Sequence, residues 1–300
     1  MSSAQPSPGP APPGGSGSNW RERKRRREAV QRAATILVLS LGAILFVLPF
    51  LWMVSTSLKV PSEVQKFPPV WIPRPPQWSN YGVALTKMEF WNQLKNTIVI
   101  VYANLVGQLF SASLVAYGFA RLRFPFRDKL FSLMLSTMML PSVATLIPIY
   151  ILYKNLGWID TFLPLTLPAF FGGGAFNIFL LHQFFKTLPR EMEEAARLDG
   201  ASSWDVYRLI VMPLSKPALA TVAIFSFMAH WNDFVGPLIY LRSPKNYTLA
   251  LGLQTFQGLY STDYQYLMAA SIVVVAPVIL LYFAAQRYFI QGIVLTGSKG

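Results

Sequence analysis

The chain has 300 residues, 53% hydrophobic and 13% charged, with a mean hydropathy of +0.39. Soluble domains carry about 25% charged residues, so this composition argues against both a disordered chain and an ordinary soluble enzyme. There is no cysteine and there are two histidines, His182 and His230, which excludes disulfides, cysteine nucleophiles and multi-histidine metal centres, and no metal or catalytic residue is assigned. The net charge of +13 fits either a nucleic-acid binder or a membrane protein with basic inner loops, and the placement of the charges decides between them.

Residues 1–19 are Pro, Gly, Ser and Ala with no charge, a composition that cannot offset its ordering entropy and predicts a disordered tail. A basic segment, 20–32, follows with Arg21, Arg23, Lys24, Arg25, Arg26, Arg27 and Arg32. A bilayer core takes about 20 apolar helical residues. On that criterion the remainder to 289 predicts an all-α integral membrane fold of six spans, at 33–55, 97–120, 130–153, 163–185, 219–241 and 268–289. The first run has the charge order of a signal peptide but no clear cleavage site, so it is read as an uncleaved span. Proline lies within several spans, at Pro49, Pro141, Pro148, Pro168, Pro237 and Pro277, where neighbouring helices tolerate kinks.

With the N-terminus inside, 18 of the 26 Lys and Arg residues fall on inner segments. The short loops show the bias best, since Arg121, Arg123, Arg127 and Lys129 on one side face Lys154 on the other. The positive-inside rule then places both termini in the cytoplasm, the protein in the plasma membrane among lipid, and leaves no role for nucleic acid. Outside, 56–96 is rich in proline and carries Trp71 and Trp78, which suits a rigid loop resting on the membrane surface.

The inner loop 186–218 is too long for a simple connection and reads as two short helices. Pro189 suits the first turn of one, Glu191, Glu193 and Glu194 favour its start, and Gly200 suits a left-handed C-terminal cap. Ser202 or Ser203 caps the second, with Asp205 in its first turn, and Pro213 ends it. Leu188, Met192 and Ala195 are expected on the buried face of the first helix, and Trp204, Tyr207 and Val211 on that of the second.

Within the spans, Asn232 and Asp233 are polar residues at membrane depth, which makes them candidates for lining a translocation path. A structural reading competes: Asp233 bonding backbone amides near Gly236 and Pro237 at a helix break. His182 is expected to hydrogen-bond within the bundle. Gly172, Gly173 and Gly174 are not followed by Lys-Ser/Thr, so they form no phosphate loop and are expected to permit close packing or a bend.

Glu194-Ala195-Ala196, three residues, Gly200, nine residues, then Ile210-x-Met212-Pro213 resembles the E-A-A-x3-G-x9-I-x-L-P signature of ABC importer membrane subunits, with Met212 as a volume-conserving departure. Residues 230–241 (HWNDFVGPLIYL) and the tail QRYFIQGIVLTGSKG are similar to corresponding stretches of the carbohydrate-uptake, maltose-permease-type smaller subunit. The resemblance covers 33–300 and implies a permease subunit for a sugar or related polyol. A peptide, polyamine or phosphorylated polyol is the alternative cargo, and an ion-coupled secondary transporter the more distant rival. It also implies that Glu194, Ala195, Ala196, Asp199, Gly200, Ile210 and Pro213 dock on an ATPase. Gln291, Gly292 and Gly297 in the tail 290–300 would contact the ATPase pair on extended, adaptable backbone. The implied partners are a second, homologous permease subunit, two ATPase subunits and an extracytoplasmic solute-binding protein. The chain has no Walker lysine motif, so it would hold no cofactor and be no enzyme, with ATP and Mg bound by the ATPases.

Overall fold

The computed structural model describes residues 17–258 and 261–297, and these are almost entirely helix, turn and loop. The N-terminal extension up to residue 16 lies outside the described residues. The chain divides after Ser55 into two compact units. The first is carried by α1 (Gly17–Ser57), which takes up the basic segment and the first apolar run in one helix.

The second unit is organised on α2 (Phe90–Arg121). At 1.5 Å per residue it is about 48 Å long, enough to cross a bilayer and project beyond it. Its C-terminal half buries Ala112, Ala116 and Ala120, spaced by four, which form one small-residue stripe along the helix. That stripe lets α5 (Ala175–Thr187) approach closely and pack Ile178, Leu181 and Phe185 against it. Lipid is as apolar as a partner helix, so such a seam rests on van der Waals packing rather than on a hydrophobic drive. Tyr117, Val206, Tyr207, Val211, Ala218 and Val222 complete this core. The other half of α2 joins a second core through Phe90 and Val101, with Ala84, Met88, Trp231, Leu249, Phe256, Ala269 and Ala270.

Four helical stretches are long and apolar enough to span a membrane: Arg26–Ser57, Phe90–Arg121, Leu163–Thr187 and Tyr264–Gln286. Two bent pairs raise the number among the described residues to as many as six. The third expected span, 130–153, is not one kinked helix. It is α3 (Arg127–Ser136), a 3-10 turn at Thr137–Met139 and α4 (Ser142–Asn155), and its two arms meet at 100°. Leu140 precedes Pro141 and is driven out of the helical region, so both residues are extended and the helix stops instead of bending.

The fourth span breaks between Phe171 and Ala175, where Gly172, Gly173 and Gly174 all have positive φ. A Cβ on Gly173 would lie 2.7 Å from Ala112 Cβ and 2.9 Å from Gln108 O, so the left-handed backbone and the close approach to α2 need the same glycine. The loop helix α6 (Glu191–Leu198) comes next, then the helical segment 203–214. That segment turns by 77° into α7 (Lys216–Trp231). The fifth expected span, 219–241, is α7 followed by a break and α8 (Val235–Tyr240). The last helix, α9 (Tyr264–Gly297), carries the sixth and runs on beyond it. Gln291, Gly292 and Gly297 lie on its helical backbone rather than on an extended tail, since the helix runs on to Gly297. Their surroundings and residues 298–300 lie outside the described residues.

Candidate functional site

The loop 186–218 folds as two capped helices. Helix α6 ends at Asp199, and Gly200 has φ +88, the left-handed cap its position predicts. Gly200 N donates to Arg197 O at 3.1 Å and Ala201 N to Ala196 O at 2.9 Å, the paired bonds of a Schellman stop. Ser202 opens the next helix with a reciprocal capping box. Asp205 N donates to Ser202 Oγ at 3.2 Å, and Ser202 N donates to Asp205 Oδ2 at 3.0 Å. Hydrogen bonds from the Ser202 side chain and backbone hold the Asp205 carboxyl below the usual carboxylate range. A four-residue connection that caps one helix and starts the next fixes their mutual angle.

The turn Val206–Val211 is π-helical, and Pro213 lies just beyond it. Proline has no N–H to continue the helical ladder, and the segment ends at Leu214, one residue past the expected stop. Ile210 is half-buried and Pro213 is exposed.

Three residues of α2 fasten this loop: Arg121, Tyr117 and Ser113. Arg121 Nε lies 3.1 Å from Glu193 Oε1 with both side chains at least nine-tenths buried. Arg121 Nη2 also donates to Leu188 O at 2.7 Å and to Phe185 O, so one guanidinium holds the end of α5 and the start of α6 together. Tyr117 OH donates to Ser203 O at 3.0 Å, and Ser113 Oγ and Tyr207 OH share a bond of 2.8 Å.

These contacts correct the expected phase of α6. The buried positions are Glu193 and, in part, Ala196, while Met192 and Ala195 are exposed. Ranking by hydrophobicity turns Met192 inward, but Arg121 offers a charge partner that makes Glu193 the inward residue. On the second helix Tyr207 and Val211 are buried as expected, and Trp204 is half exposed. The exposed stripe of α6 is then Glu191, Glu194, Ala195 and Leu198, at i, i+3, i+4 and i+7, with Leu198 89% exposed. Asp199 and Gly200 continue it at the helix end, both exposed, with open space around the Gly200 Cα.

A second polar set lies at mid-span. Asn232 closes α7 and donates to Met228 O at 2.8 Å, and Asp233 Oδ1 accepts from Gly236 N at 3.0 Å. That bond is the structural role weighed for Asp233, at the break between α7 and α8. Sequence reasoning missed the neighbouring trio. Gln108 Nε2 lies within 3.0 Å of His230 Nε2, and Asn177 Nδ2 reaches Gln108 Oε1 at 3.3 Å and Gly173 O at 2.9 Å. Isolated amides inside apolar runs carry no spacing signal, and only the fold brings α2, α5 and α7 together. His182 does not form the expected bundle hydrogen bond. Its ring packs 4.2 Å from that of Phe131, centroid to centroid, and among the described residues its Nδ1 meets no hydrogen-bond partner. Among the described residues no group of three His, Asp or Glu is placed to hold a metal.

A third element, outside the loop, joins two short connections. Asp160, at φ +63, accepts through Oδ1 from Arg242 N and Ser243 N, each at 2.9 Å, and its carbonyl accepts from Asn246 Nδ2 at 2.8 Å. The Ser243 hydroxyl and these amides hold its carboxyl well below the usual carboxylate range.

Comparison with known proteins places this geometry. Residues 108–294 match the family described as binding-protein-dependent transport system inner membrane component. The lactose transport system permease protein LacG of Rhizobium radiobacter is 31% identical over 267 residues, covering 85% of this chain and 92% of its own. The maltodextrin transport system permease protein MdxG of Bacillus subtilis is 37% identical over 210 residues, covering 70% of this chain and 76% of its own. Among solved structures, a bacterial ABC transporter involved in the import of the acidic polysaccharide alginate contains a chain that superposes with a TM-score of 0.76 at 25% identity. That match covers 88% of this chain and 98% of the other.

Proposed function

The chain belongs to the binding-protein-dependent transport system inner membrane components, a family of ABC importer permeases, and from that premise we propose that it couples ATP hydrolysis to passage of a sugar or related polyol through the loop 186–218. It is a transport subunit of the inner membrane without catalytic activity of its own. The observation that carries the coupling role is the two-sided construction of α6. One side is fixed to the spans by the buried Arg121–Glu193 pair, and the other leaves Glu194, Ala195 and Leu198 open beside a Schellman stop. A push on the open side passes to α2 and α5 through the guanidinium and its carbonyls, because a capped, fastened helix moves as one body. Ala195 lacks bulk, so a partner backbone approaches closely on the open side, while Ala196, also expected to dock, packs inward on the core, and Glu194 accepts a charge-assisted bond from a partner cation.

In this reading two ATPase subunits bind ATP and Mg, a second permease subunit supplies the other half of the path, and a solute-binding protein delivers cargo from outside. Both termini and the loop 186–218 face the cytoplasm, as the basic inner loops require. The carbohydrate cargo rests on relatives named for lactose and maltodextrin transport and on the alginate importer. Asn232, Asp233 and the Gln108–His230–Asn177 trio are the polar groups suited to line the path, since each offers donors or acceptors to hydroxyl groups at membrane depth.

The test is purification of the tagged chain from its native membrane in mild detergent, with the co-purifying proteins quantified. Two ATPase copies and one homologous permease per chain are expected. A chain that purifies without an ATPase across several detergents overturns the reading. The chain has no native cysteine, so Lys186→Cys reports sidedness directly, with labelling expected in inverted vesicles and not in right-side-out ones.

A further inference from the structure

Arg121, the last residue of α2, is bound to carbonyls at the end of α5, so two spans terminate at one level. The chain leaves that level through the turn 122–126, and the turn and the start of α3 enclose an open cleft of about 610 Å³. Arg123, Phe124, Phe126, Arg127, Asp128 and Lys129 line it. Three cations and one carboxylate give the lining a net charge of +2, and the carboxylate is already engaged, with Asp128 Oδ1 2.9 Å from Arg127 Nε.

Basic and aromatic residues are interleaved here. Phe126 holds φ +60, an uncommon conformation for a bulky residue, and is 70% exposed, while Phe124 is 39% exposed. Lys129 Nζ stands 5.7 Å from the Phe126 ring centroid, so cation and ring face the same space. A polar turn in water gains nothing from the exposed Phe126 ring or from the open edge of Phe124, whose ring packs on Phe119 at 5.8 Å between centroids. At the base of a helix bundle the same rings sit at headgroup depth, beside charges that match a phosphodiester.

We propose that this cleft binds an anionic phospholipid of the cytoplasmic leaflet, with Arg123 and Lys129 on the phosphate, Arg127 held by Asp128 beside them, and Phe124 and Phe126 against the glycerol and upper acyl chains. Arginine suits the phosphate because its planar fork donates two parallel bonds. Both halves of the lining are then used by one molecule, whereas an acidic protein segment would match the charges and leave the rings unmatched. Arg123 also lines the neighbouring pocket that holds Glu194 and Arg197, so the cleft adjoins the exposed face of α6 assigned above to the ATPase. The proposal rests on the orientation argued there, which puts 121–129 on the inner side. The Lys186→Cys labelling tests that orientation independently of lipid binding.

The experiment is native mass spectrometry of the full chain purified with its partners, delipidated and titrated with phosphatidylglycerol or phosphatidylcholine. Wild type should prefer phosphatidylglycerol by about tenfold or more, as expected for several cations near one headgroup. Arg123→Gln combined with Lys129→Gln should remove most of that preference while partners still co-purify. The charge-preserving Lys129→Arg should keep it. Phe126→Ser, in an exposed turn, should weaken binding of both lipids. Equal binding of the two lipids by wild type overturns the proposal. So does an undiminished preference in the glutamine variant, or displacement of phosphatidylglycerol by millimolar inorganic phosphate, which would make the cleft a free-anion site.

Discussion

Removing either Arg121 or Glu193 leaves a buried charge without its partner. A single Arg121→Gln or Glu193→Gln change should therefore cost about 3–5 kcal/mol. Thermal unfolding of the purified assembly measures this, and the double variant should lose less than the sum of the singles, since neither orphan charge remains. Neither residue stood out beforehand. Arg121 counted only toward the charge bias of its loop, and Glu193 only as an acid near a helix start, because their pairing spans 72 positions of sequence. Asp160 is a similar case, with partners about 80 residues away. Its folded carboxyl is held below its unfolded value of about 4, so it contributes stability that is present above that value and is lost as pH falls through the folded one. Wild type should lose stability on acidification below about pH 5, and Asp160→Asn should start lower and vary less over that range. A pH series of melting temperatures decides this, and parallel curves would count against the clamp.

At the scale of elements, local chemistry was legible where it acts locally. The cap at Gly200 and the capping box at Ser202 follow from residues within a turn of one another, whereas Pro189, expected in the first turn, stands just before the Arg190 N-cap and outside the helix. The phase of α6 was not legible, because which face is buried depends on Arg121 from another helix. The broken third span was partly legible, since Pro141 marks the place but the 100° angle belongs to the packing around it. Two glycines now separate by cost. Gly173→Ala meets Ala112 at a left-handed position and should lose about 2–4 kcal/mol from strain and overpacking, read as lower abundance and melting temperature. Gly200 has open space, and aspartate tolerates the left-handed region, so Gly200→Asp should cost about 1 kcal/mol or less in stability. It should nonetheless abolish transport, because it adds a charged side chain to the exposed surface assigned to the ATPase. Normal uptake at normal abundance would remove Gly200 from that surface.

For the whole molecule, apolar run length and charge placement carried the architecture, and one loop with fixed spacings carried the family. The mid-span polar trio and the Asp160 clamp needed the fold, since each gathers single residues from elements far apart in sequence. The central claim is that the open side of α6 transmits force from an ATPase. Leu198→Cys tests it most directly, because that side chain is 89% exposed and the chain has no cysteine of its own. Cross-linking in native membranes with a short thiol-to-amine reagent should yield one major adduct, with an ATPase subunit. Its yield should change when ATP is trapped. Adducts with the second permease alone, or labelling of the cysteine from the outer face, would contradict the account.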